Sequence, residues 1–479
     1  MTRPLIWFRS DLRTHDNPAL FHACRAGAAK DGKGVVAAFL VADHQWAAHD
    51  WGDPKADFIC RSVAALAPRL ANLGVPLVVR RAPRFRDAAS ALTSIAQAHA
   101  CTGIWFNNEH ELNETRRDEA VAAAFQRDGR SVSRYHDQVL FAPGTILSAK
   151  HAPYTVFTPF KNAWLRALAD RASDNSGLTV PVPQRQAEPV CDSEGDPIAL
   201  SRTTFSPPPA PIFESWPAGE APAIRLLDDF TRTKLVSYHL RRDLPALDGT
   251  SRLSPHLAAG SISPRRCLHD AISSGLHHPG AASWITELIW REFYRHLLVA
   301  FPRLSMGRPF ALETTRLQWR TDPAALALWK AGRTGFPIVD AAMRQLAATG
   351  WMHNRLRMIA AMFLTKDLLI HWHEGERHFM RSLVDADLAS NNGGWQWSAS
   401  TGTDAAPYFR VFNPVLQSRK IDPDGLFIRR WVPELATLDG REIHEPSPLA
   451  RTACDYPPPI VDHAAARLRA VEAFKAILH

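Results

Sequence analysis

A change of hydrophobic period along the 479-residue chain is the strongest constraint on its fold. Up to about residue 130, short apolar runs alternate with helical stretches. Pro4 to Phe8, Gly34 to Val41, Gly74 to Val79 and Gly103 to Phe106 read as strands, with helices such as Asp57 to Leu73 and Phe85 to His99 between them. Strands separated by helices of this length pair in parallel, because a crossover must carry the chain back before the next strand begins. The pattern predicts an α/β domain over residues 1–130 with a parallel, Rossmann-like sheet. No GxGxxG follows the first strand, so dinucleotide binding through that fingerprint is excluded.

From 131 to 222 the period fades and prolines gather (Pro181, Pro183, Pro189, Pro197, Pro207, Pro208, Pro209 and Pro211), as in a connector laid over a surface. From 223 to 479 the period is helical almost throughout. Trp290, Phe293, Leu297 and Phe301 fall at i, i+3, i+7 and i+11, similar stripes run through Ile338 to Leu346 and Leu356 to Ile370, and a last helix is expected from Ala464 to Leu478. The expected fold is therefore an α/β domain joined by a long linker to an all-α domain.

Six cysteines (Cys24, Cys60, Cys101, Cys191, Cys267 and Cys454) are scattered without a CxxC pair, which suggests neither a disulfide framework nor a cysteine zinc site. No apolar run approaches the roughly 18 residues needed to cross a bilayer. A cytoplasmic monomer with no membrane partner and no metal is expected. The formal charge is +8, and the segment from Trp284 to Ala360, with eleven bases against five acids, holds +6 of it. All but one of those bases are arginine. A solvated basic face and a phosphate-binding face both fit that concentration.

Three strings in the helical half, WITELIWREFY at Trp284 to Tyr294, GWMHNRLRM at Gly350 to Met358 and LVDADLASNNGGWQW at Leu383 to Trp397, resemble the photolyase/cryptochrome family in sequence and order. WFRSDLRTHDNPAL at Trp7 to Leu20 matches that family's N-terminal segment, and the likeness is weakest between Ala172 and Pro222. The resemblance implies FAD held in the helical domain (residues 223–479), a second light-harvesting pigment near the α/β domain, and cyclobutane pyrimidine dimers in DNA as the substrate of a light-driven carbon–carbon lyase.

Taken alone, Thr250, Ser251, Arg252, Leu253 and Ser254 read as a helix N-cap, whose hydroxyls accept from free backbone amides. The resemblance makes this segment the seat of the FAD diphosphate and adds Tyr238 and Trp284 as FAD contacts. Asp385 and Asp387, otherwise a solvated acidic turn, become the acids on the flavin-ring and adenine-ribose sides. By the same resemblance Asn391 sits beside the flavin nitrogen that gains a proton on reduction. A neutral amide there favours a stable reduced flavin, and so a repair enzyme over a cryptochrome-type receptor.

Glu287 and Arg291 are spaced i and i+4, the spacing of an ordinary helical ion pair. The resemblance places Glu287 against the lesion and the flavin, Arg291 near flavin and DNA, and Trp290 as the wall on which an extruded dimer stacks, since chemistry on a base requires it to leave the duplex stack. Asn354, Arg357, Met358 and Ala361 share one helical face. Asn354 and Met358 are implied to meet lesion or flavin, Arg357 the flavin, and Arg355 and Arg242 the DNA. Enzymes of the family that repair (6-4) products carry histidine at the positions of Asn354 and Met358. Neither residue here donates a proton near neutral pH, which favours the cyclobutane dimer. Trp395, Trp372 and Trp319 are implied as an electron relay, and Asn113 and Glu114 as contacts to a methenyltetrahydrofolate antenna, although Met306 stands where some folate-binding members have lysine. A plain flavin electron carrier is the other rival, and it would need neither the arginine segment nor the Glu287/Trp290 wall.

Overall fold

Pro4–Phe8, Val36–Val41 and Gly103–Asn107 are buried along their whole length, as strands covered on both faces must be. With Leu77–Arg81 and Ser131–Tyr135 they form one sheet, β1 to β5 in chain order. Every pairing is parallel and the spatial order is β3-β2-β1-β4-β5. The computed structural model describes residues 2–173, 178–275 and 278–478. Crossover helices include Pro18–Gly27, Asp53–Asn72, Ala88–Ala98 and Leu112–Arg127. The first begins where the sequence dictates: Asn17 caps it by accepting from the Leu20 amide, and Pro18 supplies a preset first turn. Leu5, Trp7, Val36, Ile104 and Phe106 pack with Leu92, Ile95, Val121 and Phe125 from the helices to make the core of this layer.

β5 falls inside the segment that the sequence assigned to the connector. Its residues, Ser-Val-Ser-Arg-Tyr, are half-exposed at the sheet edge and carry no continuous apolar run, so hydrophobic period gave no sign of a strand. The remainder of 131–222 includes the helices Phe157–Ser173, Pro197–Ser201 and Ala210–Ser215. It also covers the opposite edge, where the Val79 amide donates to Glu194 O at 2.7 Å. Residues 174–177 of this segment lie outside the described residues.

Packing divides the chain into two compact units, one of Met1–Val236, Ser251–Pro302 and Val384–Ala386, the other of Ser237–Thr250, Arg303–Leu383 and Asp387–His479. The helices Ser254–Ala259, Pro264–Ser273 and Pro279–Ala300 thus belong with the sheet. Individual polar contacts put them there, and periodicity does not report such contacts. Arg13, in the loop after β1, pairs with Asp137 at 2.5 Å and donates to Gly260 O at 2.9 Å. Arg265 pairs with Asp137 at 2.6 Å and with Asp16 at 3.1 Å. All four charged side chains are buried. Gly260 adopts φ +68°, and an added Cβ would overlap Ser10 O, so the helix ending there requires glycine.

The second unit is built of helices, among them Pro337–Thr349, Asn354–Met362, Trp372–Ser382, Leu388–Ala399 and His463–Leu478. Two start on histidine caps: His353 Nδ1 accepts from the Arg355 amide and His371 Nδ1 from the His373 amide, both at 3.2 Å. Among the described residues no helix is long and apolar enough to cross a membrane.

Burial alone would raise the Asp137 pKa, but Arg13 and Arg265 outweigh it and hold the carboxyl below the usual range. Asp137→Asn leaves both guanidinium groups without their shared countercharge and is expected to cost about 3–5 kcal/mol, read as a lower melting temperature at pH 7. A depressed folded pKa means the contribution is complete above the unfolded value of about 3.9 and is lost as pH falls through the folded one. The gap between variant and parent should therefore close on acidification below about pH 4; a gap that persists unchanged would show that charge is not what Asp137 contributes.

Candidate active site

In the first unit, Pro279–Ala300 presents Trp284, Glu287, Trp290 and Arg291. Trp284 is buried and tilts against Phe230 with ring centroids 4.8 Å apart. Trp290 is half-buried and stacks on Phe157 at 3.6 Å with planes 7° apart, and Phe293 and Tyr294 contact it at 5.8 and 5.6 Å. A rigid aromatic wall results, one face of it already covered by protein. Glu287, three residues before Trp290, is partly exposed. Arg291 is less available than the sequence implied, since its terminal nitrogens donate to Gln138 O at 2.6 Å and Leu257 O at 3.0 Å. Glu292 carried no signal in the sequence, yet it is the anchor of this helix. It is buried and accepts from the amides of Leu140 and Phe141 and from Trp164 Nε1, at 2.6, 3.0 and 2.8 Å.

Ser251 to Ser254 lie in this unit and Thr250 in the other. Leu253 is fully buried and anchors the segment, whereas Arg252 and Ser254 are exposed and Ser251 half-exposed. Arg252 takes φ +52°, an uncommon conformation for a residue with a side chain, and its guanidinium lies 5.4 Å from the Trp216 ring. Asp385 is buried in the same unit. Asn113 and Glu114 meet at His49: the Asn113 amide is 3.0 Å from Nε2 and the Glu114 carboxylate 3.3 Å from Nδ1, and Gln45 also reaches Nε2 at 3.0 Å. His49 was not singled out from sequence, because 64 residues separate it from Asn113.

In the second unit Tyr238 is buried, with the Arg242 guanidinium 5.6 Å from its ring. Arg355 pairs with Asp243 at 2.8 Å and touches Met358 Sδ at 3.7 Å, and Arg357 donates to Met352 O at 2.8 Å. The helical face shared by Asn354, Arg357, Met358 and Ala361 is graded: Asn354 is exposed, Arg357 and Met358 are half-buried and Ala361 is buried. Its polar end opens outward because it starts the helix, so the polarity of Asn354 is not anomalous.

Asp387 caps Leu388–Ala399 by accepting from the Ser390 amide at 2.9 Å. One turn on, Asn391 Nδ2 donates to Glu376 O at 3.0 Å, which turns the amide so that its carbonyl oxygen is the end presented. A Cβ on Gly394 would meet nothing within 4 Å, so space is open beside this helix. Trp395 is buried, and its indole Nε1 has no hydrogen-bond partner among the described residues. An acceptor, a free donor and open space along one helix fit a planar polar cofactor such as a flavin, with the Asn391 carbonyl suited to a protonated ring nitrogen. Trp395 meets Phe379 at 5.0 Å and Trp329 at 6.1 Å. Trp372 is buried, while Trp319 is half-buried against His371 at 5.2 Å and Phe474 at 6.4 Å.

Members of the arginine-rich segment differ in exposure and partner. Arg295 is 1% exposed, Arg303 donates to Phe310 O at 3.1 Å, and Arg344 pairs with Glu434 at 2.7 Å. Arg308 and Arg333 are exposed.

Comparison with known proteins gives a consistent result over the whole length. Residues 4–184 match the family model described as DNA photolyase and residues 284–476 that of the FAD binding domain of DNA photolyase. The deoxyribodipyrimidine photo-lyase of Escherichia coli strain K12 is 45% identical over 486 residues, covering 99% of each chain. A class III photolyase from Agrobacterium tumefaciens superposes with a TM-score of 0.85 at 35% identity, over 100% of this chain and 98% of that one. A Synechocystis cryptochrome gives 0.84 at 26% identity over 99% of each, so backbone shape does not separate photolyase from cryptochrome.

Trp395 owes its place to Gly375, where an added Cβ would overlap its ring. Glycine to alanine inside a helix is usually worth about 0.5–1 kcal/mol of stability. Gly375→Ala is expected to do the reverse and destabilise by about 1–3 kcal/mol, with a changed tryptophan emission. A variant that melts higher than its parent would show that Trp395 moves aside freely.

Proposed function

This chain belongs to the DNA photolyase family, and from that premise we propose that it repairs cyclobutane pyrimidine dimers in DNA by light-driven electron transfer, as a cytoplasmic monomer. The likeness to named photo-lyases from end to end carries the reading. Bound FAD, reduced and excited by near-UV or blue light, supplies the electron that opens the cyclobutane ring and receives it back. In this reading residues 1–130 serve a methenyltetrahydrofolate antenna through Asn113, Glu114 and His49, 131–222 connect, and 223–479 hold flavin and DNA.

The protein groups then act as follows. Thr250, Ser251, Ser254 and Arg252 hold the diphosphate. Asp385, Asp387, Asn391, Tyr238, Trp284, Arg291 and Arg357 orient the rest of the cofactor, and the neutral Asn391 carbonyl favours its reduced form. Trp290, stiffened by Phe157, replaces the stacking that the flipped dimer loses. Glu287 and Asn354 hydrogen-bond the pyrimidines beside Met358. Arg242 and Arg355 meet phosphate, Arg355 exchanging Asp243 for it. Neither Asn354 nor Met358 is a proton donor near pH 7, so (6-4) products are not substrates. Trp395, Trp372 and Trp319 return electrons to oxidised cofactor.

Illumination of two oligonucleotides, one bearing each lesion, tests the reading: the cyclobutane dimer should be split and the (6-4) product recovered intact. Glu287→Ala should keep FAD and lose about 1–3 kcal/mol of transition-state stabilisation for the dimer. Repair of the (6-4) lesion, or none of the dimer in light, would overturn the assignment. Trp319→Phe should abolish photoreduction of oxidised flavin while chemically reduced protein still repairs; a pre-reduced variant that fails would give Trp319 another role.

A further inference from the structure

His371 joins the two outer tryptophans of the relay. Its ring lies 5.2 Å from that of Trp319 and 5.9 Å from that of Trp372, nearly parallel to the latter at 22°. We propose that His371 is a positioning residue for the last step of the relay: its neutral imidazole lets positive charge pass from Trp372 to Trp319, and its protonation shuts that step. The inference rests on the relay reading above. In the step one electron leaves Trp319 and fills the vacancy on oxidised Trp372. Trp319 is oxidised, Trp372 is restored, no bond forms or breaks, and no proton moves. The oxidant that created the vacancy is the light-excited oxidised flavin.

Geometry favours the neutral ring. Nδ1 accepts from the His373 amide at 3.2 Å and so caps the helix Trp372–Ser382. A proton on Nδ1 would abolish that cap and set a cation at the positive end of the helix. Burial likewise lowers the His371 pKa from 6.5, with Glu374 on the same helix opposing. The other charged or titratable groups nearby are His373, with its ring at 4.7 Å, and Arg320, whose segment bridges to Ile370. Lys366 Nζ lies 3.6 Å from the Phe474 ring, and Asp367 pairs with His463 and accepts from Arg469 at its backbone carbonyl. His373 contacts Trp372 at 3.9 Å, and burial pushes its pKa down to about 4. An imidazolium 5 Å from Trp319 repels the arriving charge at a distance where solvent screening is incomplete.

The test is flash photolysis of the flavin-loaded protein from about pH 8 to about pH 5, following both flavin reduction and the tryptophan-radical absorbance. Parent protein should lose at least about tenfold in the yield of long-lived tryptophan radical across that range. His371→Asn keeps a capping acceptor and His371→Phe keeps a ring; neither titrates, and both should give flat profiles. Repair by chemically reduced flavin should show no such difference between parent and variants. A flat parent profile, or a slope retained in both variants, overturns the proposal. Trp319→Phe separates the two readings: if it photoreduces like the parent, relay and proposal fall together, and if it is inactive while the parent is flat, the role of His371 falls alone.

Discussion

The buried pairing of Arg13 and Arg265 with Asp137 and Asp16 is the interaction on which the first unit depends. Two guanidinium groups and two carboxylates taken out of water are costly unless each is closely matched, and here the pairs lie at 2.5 to 3.1 Å with backbone carbonyls taking further donors. Asp137 is only two residues beyond β5, and the segment it starts is gripped repeatedly from one side. Arg265 holds Asp137, Arg291 holds Gln138, and Glu292 holds Leu140 and Phe141. One short stretch after the edge strand therefore fixes the helix that carries Trp284, Glu287 and Trp290. In this way the α/β layer sets the position of residues that sequence period assigns to another domain.

The same chemistry explains the absence of a dinucleotide fingerprint. In an open parallel sheet, ligands enter beyond the strand ends where the order reverses, here between β1 and β4. Protein charge fills that place. Arg9 pairs with Asp118, Arg117 with Glu109 and Asp118, and Asn107 donates to Asp11. Burial would raise the Glu109 pKa, but Arg117 and Arg9 pull it down to about 2, so Glu109 stays ionised at neutral pH. The motif WFRSDLRTHDNPAL supplies Arg9, Asp11, Arg13, Asp16 and Asn17 to these two networks, which gives each of these five a structural task.

What the sequence revealed follows the range of the interaction. Four strands, two of the crossover helices (Asp53–Asn72 and Ala88–Ala98) and the stripe through Phe293 and Leu297 are set by periods of a few residues and were legible. β5 was not, because an edge strand needs no apolar run, nor was the assignment of Pro264–Ser273 to the sheet, because Arg265 and Asp16 are 249 residues apart. Net charge left the use of its eleven bases open for the same reason: guanidinium groups serve backbone carbonyls as readily as phosphates, and Arg291, Arg295, Arg303 and Arg357 donate to carbonyls. Individual site residues were named through the family resemblance, because a large side chain such as Trp372 or Trp395 taken alone reads first as core, and both are buried.

That environment ties two tasks to one pair of helices. Asn391 and Trp395 stand one turn apart on Leu388–Ala399, and both are held by the facing helix Trp372–Ser382. Glu376 O takes the Asn391 amide, and Gly375 leaves room for the Trp395 ring. Trp372 begins that same facing helix, capped by His371. The amide proposed to favour reduced flavin and the tryptophans proposed to restore it therefore cannot be repositioned separately. A sideways shift of Trp372–Ser382 would move the Asn391 carbonyl, the Trp395 ring and the Trp372 ring together. A chain that needs its cofactor reduced gains from that coupling, because the packing that places Trp372 and Trp395 also holds the amide proposed to favour the reduced form.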